Sequence, residues 1–111
     1  MSFTIDDLLD MAEDLLGLLP DGKKRTILYD LGKLAEETGE VAECLVKSSK
    51  TKQDLAHELA DVIFVCGAIA IKADIDLNKA VGEKQSLRID KILKKFHEGK
   101  VPEGFRFRAP V

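Results

Sequence analysis

Apolar residues recur every three to four positions in four segments of the chain, which is the spacing of amphipathic helices. The first segment spans about residues 5–19 and ends at Pro20-Asp21-Gly22, a helix-breaking sequence. The other three span about residues 26–47, 51–73 and 77–98, with short polar breaks between them. None of the four has the two-residue alternation of a β-strand. The pattern predicts an all-α fold, a four-helix bundle.

Two helix starts carry a capping signature, Thr4 with Asp7 and Thr51 with Asp54. A glycine and a proline after the fourth helix predict an irregular tail over residues 99–111. The chain contains no internal repeat and no low-complexity segment. We therefore predict one helical domain over residues 1–111, with its core at about 26–98.

The third predicted helix is apolar on every side from Val62 to Ile71. One small domain has too few other helices to cover such a surface, so we expect a homo-oligomer built on this helix. The same ten-residue run is too short to span a bilayer, and nothing ahead of the first helix resembles a signal peptide. We therefore expect no membrane partner.

The overall charge narrows the classes of partner. The chain has 111 residues, with 17 Lys and Arg against 20 Asp and Glu, and its net charge is -3. This balance argues against a surface that binds nucleic acid. Cys44 and Cys66 form no CxxC motif and no disulfide framework, which indicates a reducing, cytoplasmic location.

The candidate chemistry lies in two clusters of carboxylates on the second and third helices. The first cluster comprises Glu36, Glu37 and Glu40, and the second comprises Glu58 and Asp61. At about 100° per residue, Glu37 and Glu40 share one helix face, and so do Glu58 and Asp61. If the helices pack antiparallel, four acids converge, and such hard oxygen ligands suit Mg²⁺ or Mn²⁺.

The two clusters differ in the strength of their signal. The row through Glu58 and Asp61 continues into Val62 and Val65, so both acids are expected to enter a packed region. An ionised group there is costly unless a partner or a metal compensates it. In the first cluster, Glu36 and Glu40 lie opposite an apolar row and Glu37 lies at its border; taken alone, this cluster is typical of a solvated face. The metal prediction therefore rests on the second cluster.

Three classes of function fit these helices. Metal-assisted hydrolysis at a phosphate needs fixed cations, which Lys84 and Arg88, one turn apart on the fourth helix, can supply. A di-iron site normally needs paired Glu-x-x-His motifs, and only Asp54 to His57 comes near. A helical oligomerisation module with surface acids would explain the apolar third helix. It would not explain the apolar row beside the second acid cluster.

Two stretches resemble the MazG-like all-α nucleoside triphosphate pyrophosphohydrolases. They read Leu34-Ala35-Glu36-Glu37-Thr38-Gly39-Glu40-Val41-Ala42-Glu43 and Glu58-Leu59-Ala60-Asp61-Val62-Ile63-Phe64. The family signature is Glu-Glu-x-x-Glu, a gap of variable length, and then Glu-x-x-Asp. The resemblance covers roughly residues 26–95 and implies Mg²⁺-dependent cleavage of a nucleoside triphosphate into a monophosphate and pyrophosphate. House-cleaning of non-canonical or surplus deoxynucleotides is one such role.

The resemblance also implies roles for individual residues. It implies metal ligands at Glu37, Glu40, Glu58 and Asp61, with Glu36 as a secondary acid that holds or activates the attacking water. The candidates for phosphate binding are Lys33, Lys84 and Arg88. Loose candidates for contact with the base are Phe3, Tyr29, Phe105 and Phe107.

Two relatives within the superfamily compete with this interpretation. Phosphoribosyl-ATP pyrophosphohydrolases share the acid pattern, but Tyr-His commonly follows their Glu-x-x-Asp motif, where this chain has Ile63-Phe64. Dimeric dUTPases usually have longer chains with a duplicated helical unit, which 111 residues hardly accommodate. We therefore favour a nucleoside triphosphate pyrophosphohydrolase of undetermined base specificity.

Overall fold

The computed structural model describes residues 2–22 and 24–97. Within them the chain forms four α-helices and no β-strand, so the all-α, four-helix prediction is confirmed. The helices are α1 (Ile5–Leu18), α2 (Ile27–Val46), α3 (Lys52–Lys72) and α4 (Leu77–His97). The predicted irregular tail at 99–111 lies outside the described residues.

The starts of α1 and α3 have the capping boxes that the sequence predicts. At α1, the Asp7 N–H donates to Thr4 Oγ1 at 3.1 Å, and the Thr4 N–H donates to Asp7 Oδ2 at 2.9 Å. At α3, Thr51 and Asp54 make the same two bonds, at 3.1 Å and 2.8 Å. These side chains satisfy backbone groups that have no partner within the helix, so they fix the residue at which each helix begins.

A tight turn follows α1. Asp21 has a positive φ of 60°, a conformation that aspartate tolerates better than most residues. A Cβ on Gly22 would lie 2.4 Å from the carbonyl oxygen of Leu16, so only glycine fits this close approach. The chain can therefore fold back against the end of α1 before α2 begins.

Helices α2 and α3 pack along each other, and α1 packs on α3. Only residues 47–51 separate α2 from α3, so the two helices form an antiparallel hairpin. The buried apolar core comprises Ala12, Leu16, Val65, Ala68 and Ala70. The core positions of α3 include two alanines, and small side chains let neighbouring helices approach closely. This packing brings one face of α2 against one face of α3.

The apolar run of α3 is more covered than the sequence suggests. Between Val62 and Ile71, only Ile63 is classed as exposed, with 53% of its surface accessible. The remaining positions are buried or half-buried within the single chain. The expectation that this run is too large for one chain to cover is therefore wrong for most of its length. The predicted homo-oligomer stays a prediction.

The chain divides into two compact units, Met1–Asn78 and Lys79–Val111. The first contains α1, α2 and α3, and the second contains most of α4. On α4, Lys84 and Arg88 are exposed, and Arg88 donates a hydrogen bond to Gln85. No helix in the described part of the chain is long and apolar enough to cross a membrane. The single domain over residues 1–111 stays a prediction.

Candidate metal centre

The α2–α3 hairpin brings the two predicted clusters of carboxylates together. One carboxylate oxygen from each of Glu37, Glu58 and Asp61 lies within 4.8 Å of the other two. Glu37 also belongs to a second such group, which it forms with Glu36 and Glu40 on its own helix. The five acids therefore form two groups that share Glu37. Together these five residues are the acid centre of the protein.

Burial within the acid centre differs from the sequence-based expectation. Glu37 is only 9% exposed, and Glu40 is half-buried, so the interpretation of the first cluster as a solvated face is wrong for these two acids. Asp61, which was expected in a packed region, is exposed, while Glu58 is half-buried. The reason is the packing of α2: the face that carries Glu37 lies against α3, and helical spacing alone did not identify that face.

The close approach of the acids changes their affinity for protons. The pKa of Glu58 is raised to about 7, first by a hydrogen-bonding contact with the Glu40 carboxyl, then by burial and by repulsion from nearby acids. Burial is the main cause that raises the pKa of Glu37, and contact with Glu40 and repulsion from Asp61 add to it. Both carboxyls are therefore unfavourable as anions unless positive charge is supplied.

Two oxygens of the acid centre have no compensating contact. Glu37 Oε2 and Glu58 Oε2 are buried, and within the described residues neither has a hydrogen-bond partner. Buried carboxylate oxygens without partners are costly, and both side chains belong to the group of converging carboxylates. The oxygen-only donor set suits a hard divalent cation rather than a thiolate-seeking metal. The residues present therefore fit a metal such as Mg²⁺.

One cation lies at the edge of the acid centre. Lys33 Nζ lies 3.1 Å from Glu36 Oε2 and 3.8 Å from Glu37 Oε1. The hydrogen bond with Glu36, the larger cause, and the charges of Glu36 and Glu37 raise the pKa of Lys33. Glu36 itself is exposed, so Glu36 and Lys33 lie at the solvent-facing edge of the acid centre. The predicted phosphate-binding roles of Lys84 and Arg88 stay predictions.

Comparison with known families tests the resemblance directly. The family model described as the MazG nucleotide pyrophosphohydrolase domain matches residues 26–98, which is more than half of the chain. The chain belongs to the MazG nucleotide pyrophosphohydrolase family. No curated protein and no solved structure matches it. The match begins at Thr26, the N-cap of α2, and includes all five acids of the centre.

Beside the acid centre, this MazG family member has a pocket of about 240 Å³ between α1, which precedes the matched residues, and α2 and α3. Glu37 and Asp61 belong to its wall, and so do the rings of Tyr29 and Phe64. The Arg25 guanidinium lies 4.6 Å from the centre of the Tyr29 ring, at a cation–π distance. The pocket and the acid centre are therefore continuous.

The four aromatic residues named as base-contact candidates have different positions. Tyr29 lines the pocket beside the acid centre, whereas Phe3 lines a separate hollow with Leu8 and Ile63. Phe105 and Phe107 lie outside the described residues. Phe64, the second aromatic residue on the pocket wall, was not among the four base-contact candidates.

The MazG domain also contains an ion pair that was not predicted from the sequence. Lys72 Nζ of α3 lies 2.8 Å from Asp30 Oδ2 of α2, and the two side chains are 10% and 7% exposed. A signal for this pair exists in the spacing. Asp30 precedes Glu37 by seven residues and Lys72 follows Asp61 by eleven, and both intervals return to the same helix face. The contact between α2 and α3 that brings the acids together thus also brings Asp30 and Lys72 together.

Proposed function

We propose that this chain is a divalent-metal-dependent nucleoside triphosphate pyrophosphohydrolase, which cleaves between the α- and β-phosphates. Family membership supports the class of reaction. The observation that carries the proposal is the convergence of Glu37, Glu58 and Asp61 from two helices, where Glu37 and Glu58 each have a buried oxygen without a partner among the described residues. A surface acid cluster would need neither the burial nor the contact across the hairpin.

The proposed ligands of the metal are Glu37, Glu40, Glu58 and Asp61. Mg²⁺ is the first candidate and Mn²⁺ the second, because both prefer carboxylate oxygens. When bound, the ion would neutralise the charge of the acids and of the phosphates. The carboxylates hold this position before substrate arrives, since the hairpin and its caps fix the two helices.

The residues around the acid centre can perform the remaining steps. Water attacks a phosphorus atom of the anhydride, a new P–O bond forms, and the bridging P–O bond breaks. Nucleoside monophosphate and pyrophosphate leave. Glu36 is exposed at the edge of the centre, and we assign to it the proton of the attacking water. Lys33, at the edge of the acid centre, is our candidate cation for phosphate oxygens, and we retain Lys84 and Arg88 for the others.

The substrate and setting belong to the same proposal. A nucleoside or deoxynucleoside triphosphate is the expected substrate, with removal of unwanted nucleotides as the role. A reducing compartment fits the two free cysteines, Cys44 and Cys66, and we include a cytoplasmic location and a homodimer or homotetramer in the proposal.

A panel of canonical and modified nucleoside triphosphates tests the reaction. The protein is incubated with each one and Mg²⁺, and pyrophosphate is measured separately from orthophosphate. We expect pyrophosphate and the monophosphate in equal amounts, and no release without the metal. Release of orthophosphate alone, or no turnover of any substrate, would contradict the proposal.

Two glutamate-to-glutamine variants provide the matched control. Glu58→Gln removes a charge from the acid centre, whereas Glu43→Gln removes one from the Glu43–Lys47 ion pair at the end of α2. We expect Glu58→Gln to lose nearly all pyrophosphate release and Glu43→Gln to keep it. Near-wild-type pyrophosphate release by Glu58→Gln would exclude Glu58 from the catalytic site.

A further inference from the structure

The pocket beside the acid centre contains a charged pair that the proposed cleavage does not use. Asp30 and Lys72 line its wall, together with Tyr29 and Phe64, and the pocket reaches Glu37 and Asp61 at the acid centre. A molecule with its phosphates at the acids would therefore have its remaining part in this pocket. The volume of about 240 Å³ lies below the roughly 300–1,000 Å³ of sites that hold a whole drug-sized ligand, which agrees with a pocket that holds only this part of the molecule.

The charged pair has hydrogen-bonding capacity left over. Asp30 Oδ2 and Lys72 Nζ form a buried ion pair at 2.8 Å, and apart from each other neither atom has a hydrogen-bond partner among the described residues. An ammonium group has three donors and a carboxylate about four acceptor sites, so one ion pair uses only part of each. Because unused buried donors and acceptors are costly, the pair points to a polar ligand in the pocket.

We propose that this pocket takes the nucleoside part of the substrate, and that Asp30, with Lys72 beside it, recognises a base that carries an exocyclic amino group. The inference rests on the proposed function, because the acids must hold the phosphates. The carboxylate accepts the amino N–H, and the ammonium donates to a ring nitrogen or carbonyl oxygen next to it. Cytosine, adenine and guanine offer this neighbouring donor and acceptor.

Uracil and thymine fit the pair less well. Each presents a single ring N–H between two carbonyl oxygens. When the carboxylate accepts this N–H, Lys72 can donate to one carbonyl oxygen, but the other one is left facing the carboxylate. The aromatic walls contact any base, since every base has a stacking face. Discrimination therefore depends on Asp30 rather than on Tyr29 or Phe64. A well-matched pair of hydrogen bonds to a base edge is worth about tenfold or more in discrimination.

A purely structural tie between α2 and α3 is the competing explanation of the ion pair. It predicts that loss of Asp30 lowers stability and slows all substrates alike. Base recognition by Asp30 predicts instead that its loss changes the kcat/KM of the triphosphates relative to one another. The two explanations therefore separate when kcat/KM for each triphosphate and the melting temperature are measured on the same variants.

Asp30→Asn is the first variant, and the double variant Asp30→Asn with Lys72→Met removes the buried charge left behind. Asp10→Asn, at an exposed position on α1, is the matched control. For the wild type and the control, we expect kcat/KM for amino-bearing deoxynucleoside triphosphates to exceed that for dUTP and dTTP at least about tenfold. Both pocket variants should bring this ratio within about threefold, mainly through KM.

The melting temperature completes the test. We expect Asp30→Asn to melt below the wild type and the double variant to recover part of the loss without recovering the base preference. An unchanged substrate ratio in the double variant, or a wild type without preference for amino-bearing bases, would overturn the inference while pyrophosphate release upheld the proposed function.

A different result would separate the two proposals. If the wild type cleaves no triphosphate, the proposed function fails, and equilibrium titration with dCMP and dUMP then decides the inference. Tighter binding of dCMP that disappears in Asp30→Asn supports the recognition role. Equal binding of the two monophosphates, or no binding of either, overturns it.

Discussion

Glu58 shows most clearly how unfavourable the close approach of these acids is without a cation. Its contact with Glu40 and the neighbouring charges of Asp61 and Glu37 raise its pKa to about 7. A protein gains nothing in stability from such an arrangement without a cation, because like charges at close range repel. The same arrangement is useful when a divalent cation enters, since the cation compensates all the acids at once.

The metal-free protein should therefore lose stability as pH rises. Because the folded-state pKa of Glu58 is about 7 against an ordinary value of 4.5, the folded chain binds more protons than the unfolded chain between these values. The free energy of unfolding falls as pH increases through this window. We expect chelator-treated wild type to melt at a higher temperature at pH 5 than at pH 8, and Glu58→Gln to show a smaller difference. A wild-type melting temperature that rises over this interval would contradict the assignment.

Loss of Asp61 should separate activity from stability. Asp61→Asn removes one charge from the acid centre but keeps the size of the side chain, and Asp61 is exposed. We expect pyrophosphate release to fall at least about a hundredfold, since even outer-shell changes at metal sites cost 10–100-fold. Without metal, the melting temperature should stay equal or rise, because repulsion is reduced. Near-normal turnover at saturating Mg²⁺ would remove Asp61 from the metal ligands.

Residue spacing predicted which acids come together but not how deeply each is buried. The intervals from Glu37 to Glu40 and from Glu58 to Asp61 place each pair on one helix face, and the structure brings Glu37 next to Glu58 and Asp61. Burial of Glu37 depends on which face of α2 meets α3, and this is a tertiary property. The ion pair of Asp30 was missed for the same reason.

At the scale of elements, the α2–α3 hairpin fixes the geometry of the acid centre. The cap at Thr51 sets the first residue of α3, and Glu58 and Asp61 follow within three turns. Farther from the turn, Asp30 and Lys72 join the same two helices. A change in the register of either helix would separate the acids and the ion pair together.

Removal of the α3 cap should lower stability measurably. Thr51→Ala deletes the hydroxyl that accepts the Asp54 N–H, and the cost of such a loss is about 1 kcal/mol. Urea denaturation followed by far-UV circular dichroism measures the free energy of unfolding. Ser49→Ala, in the turn before the cap, is the control and should change little. Equal stability of the two variants would mean that the capping box does not stabilise α3.

The helices were more predictable than their packing. Capping residues and apolar spacing lie close together in sequence, so the starts of α1 and α3 follow from local rules. Coverage of the α3 run depends on contacts with α1 and α2, which lie far away in sequence. A smaller part of the run from Val62 to Ile71 is therefore left for a partner subunit to cover than the apolar pattern of α3 suggests.

At the scale of the whole molecule, exposed apolar side chains still favour an oligomer. Leu59 and Ile63 lie one turn apart on α3 and are 47% and 53% exposed, and Leu28 of α2 is 77% exposed. Side chains of this kind are common at interfaces between identical subunits, where their burial is favourable. An apolar surface is thus available in the first unit for contacts in the predicted homodimer or homotetramer, although this surface is smaller than the sequence suggested.

Light scattering coupled to size-exclusion chromatography measures the oligomeric state. We expect wild type to have the mass of a dimer or tetramer, and Ile63→Lys to shift toward the monomer because a charge would enter the apolar contact. Asn78→Lys, which adds the same charge at another exposed position, should leave the mass unchanged. A monomeric wild type at micromolar concentration would contradict the oligomer.

A crystal structure with Mn²⁺, located by its anomalous scattering, tests the metal assignment most directly. We predict an ion bound by carboxylate oxygens of Glu37, Glu40, Glu58 and Asp61, at roughly the 2.1 Å typical of small hard cations. Side chains of Glu58 and Asp61 that point away from Glu37, with no ion between them, would contradict it.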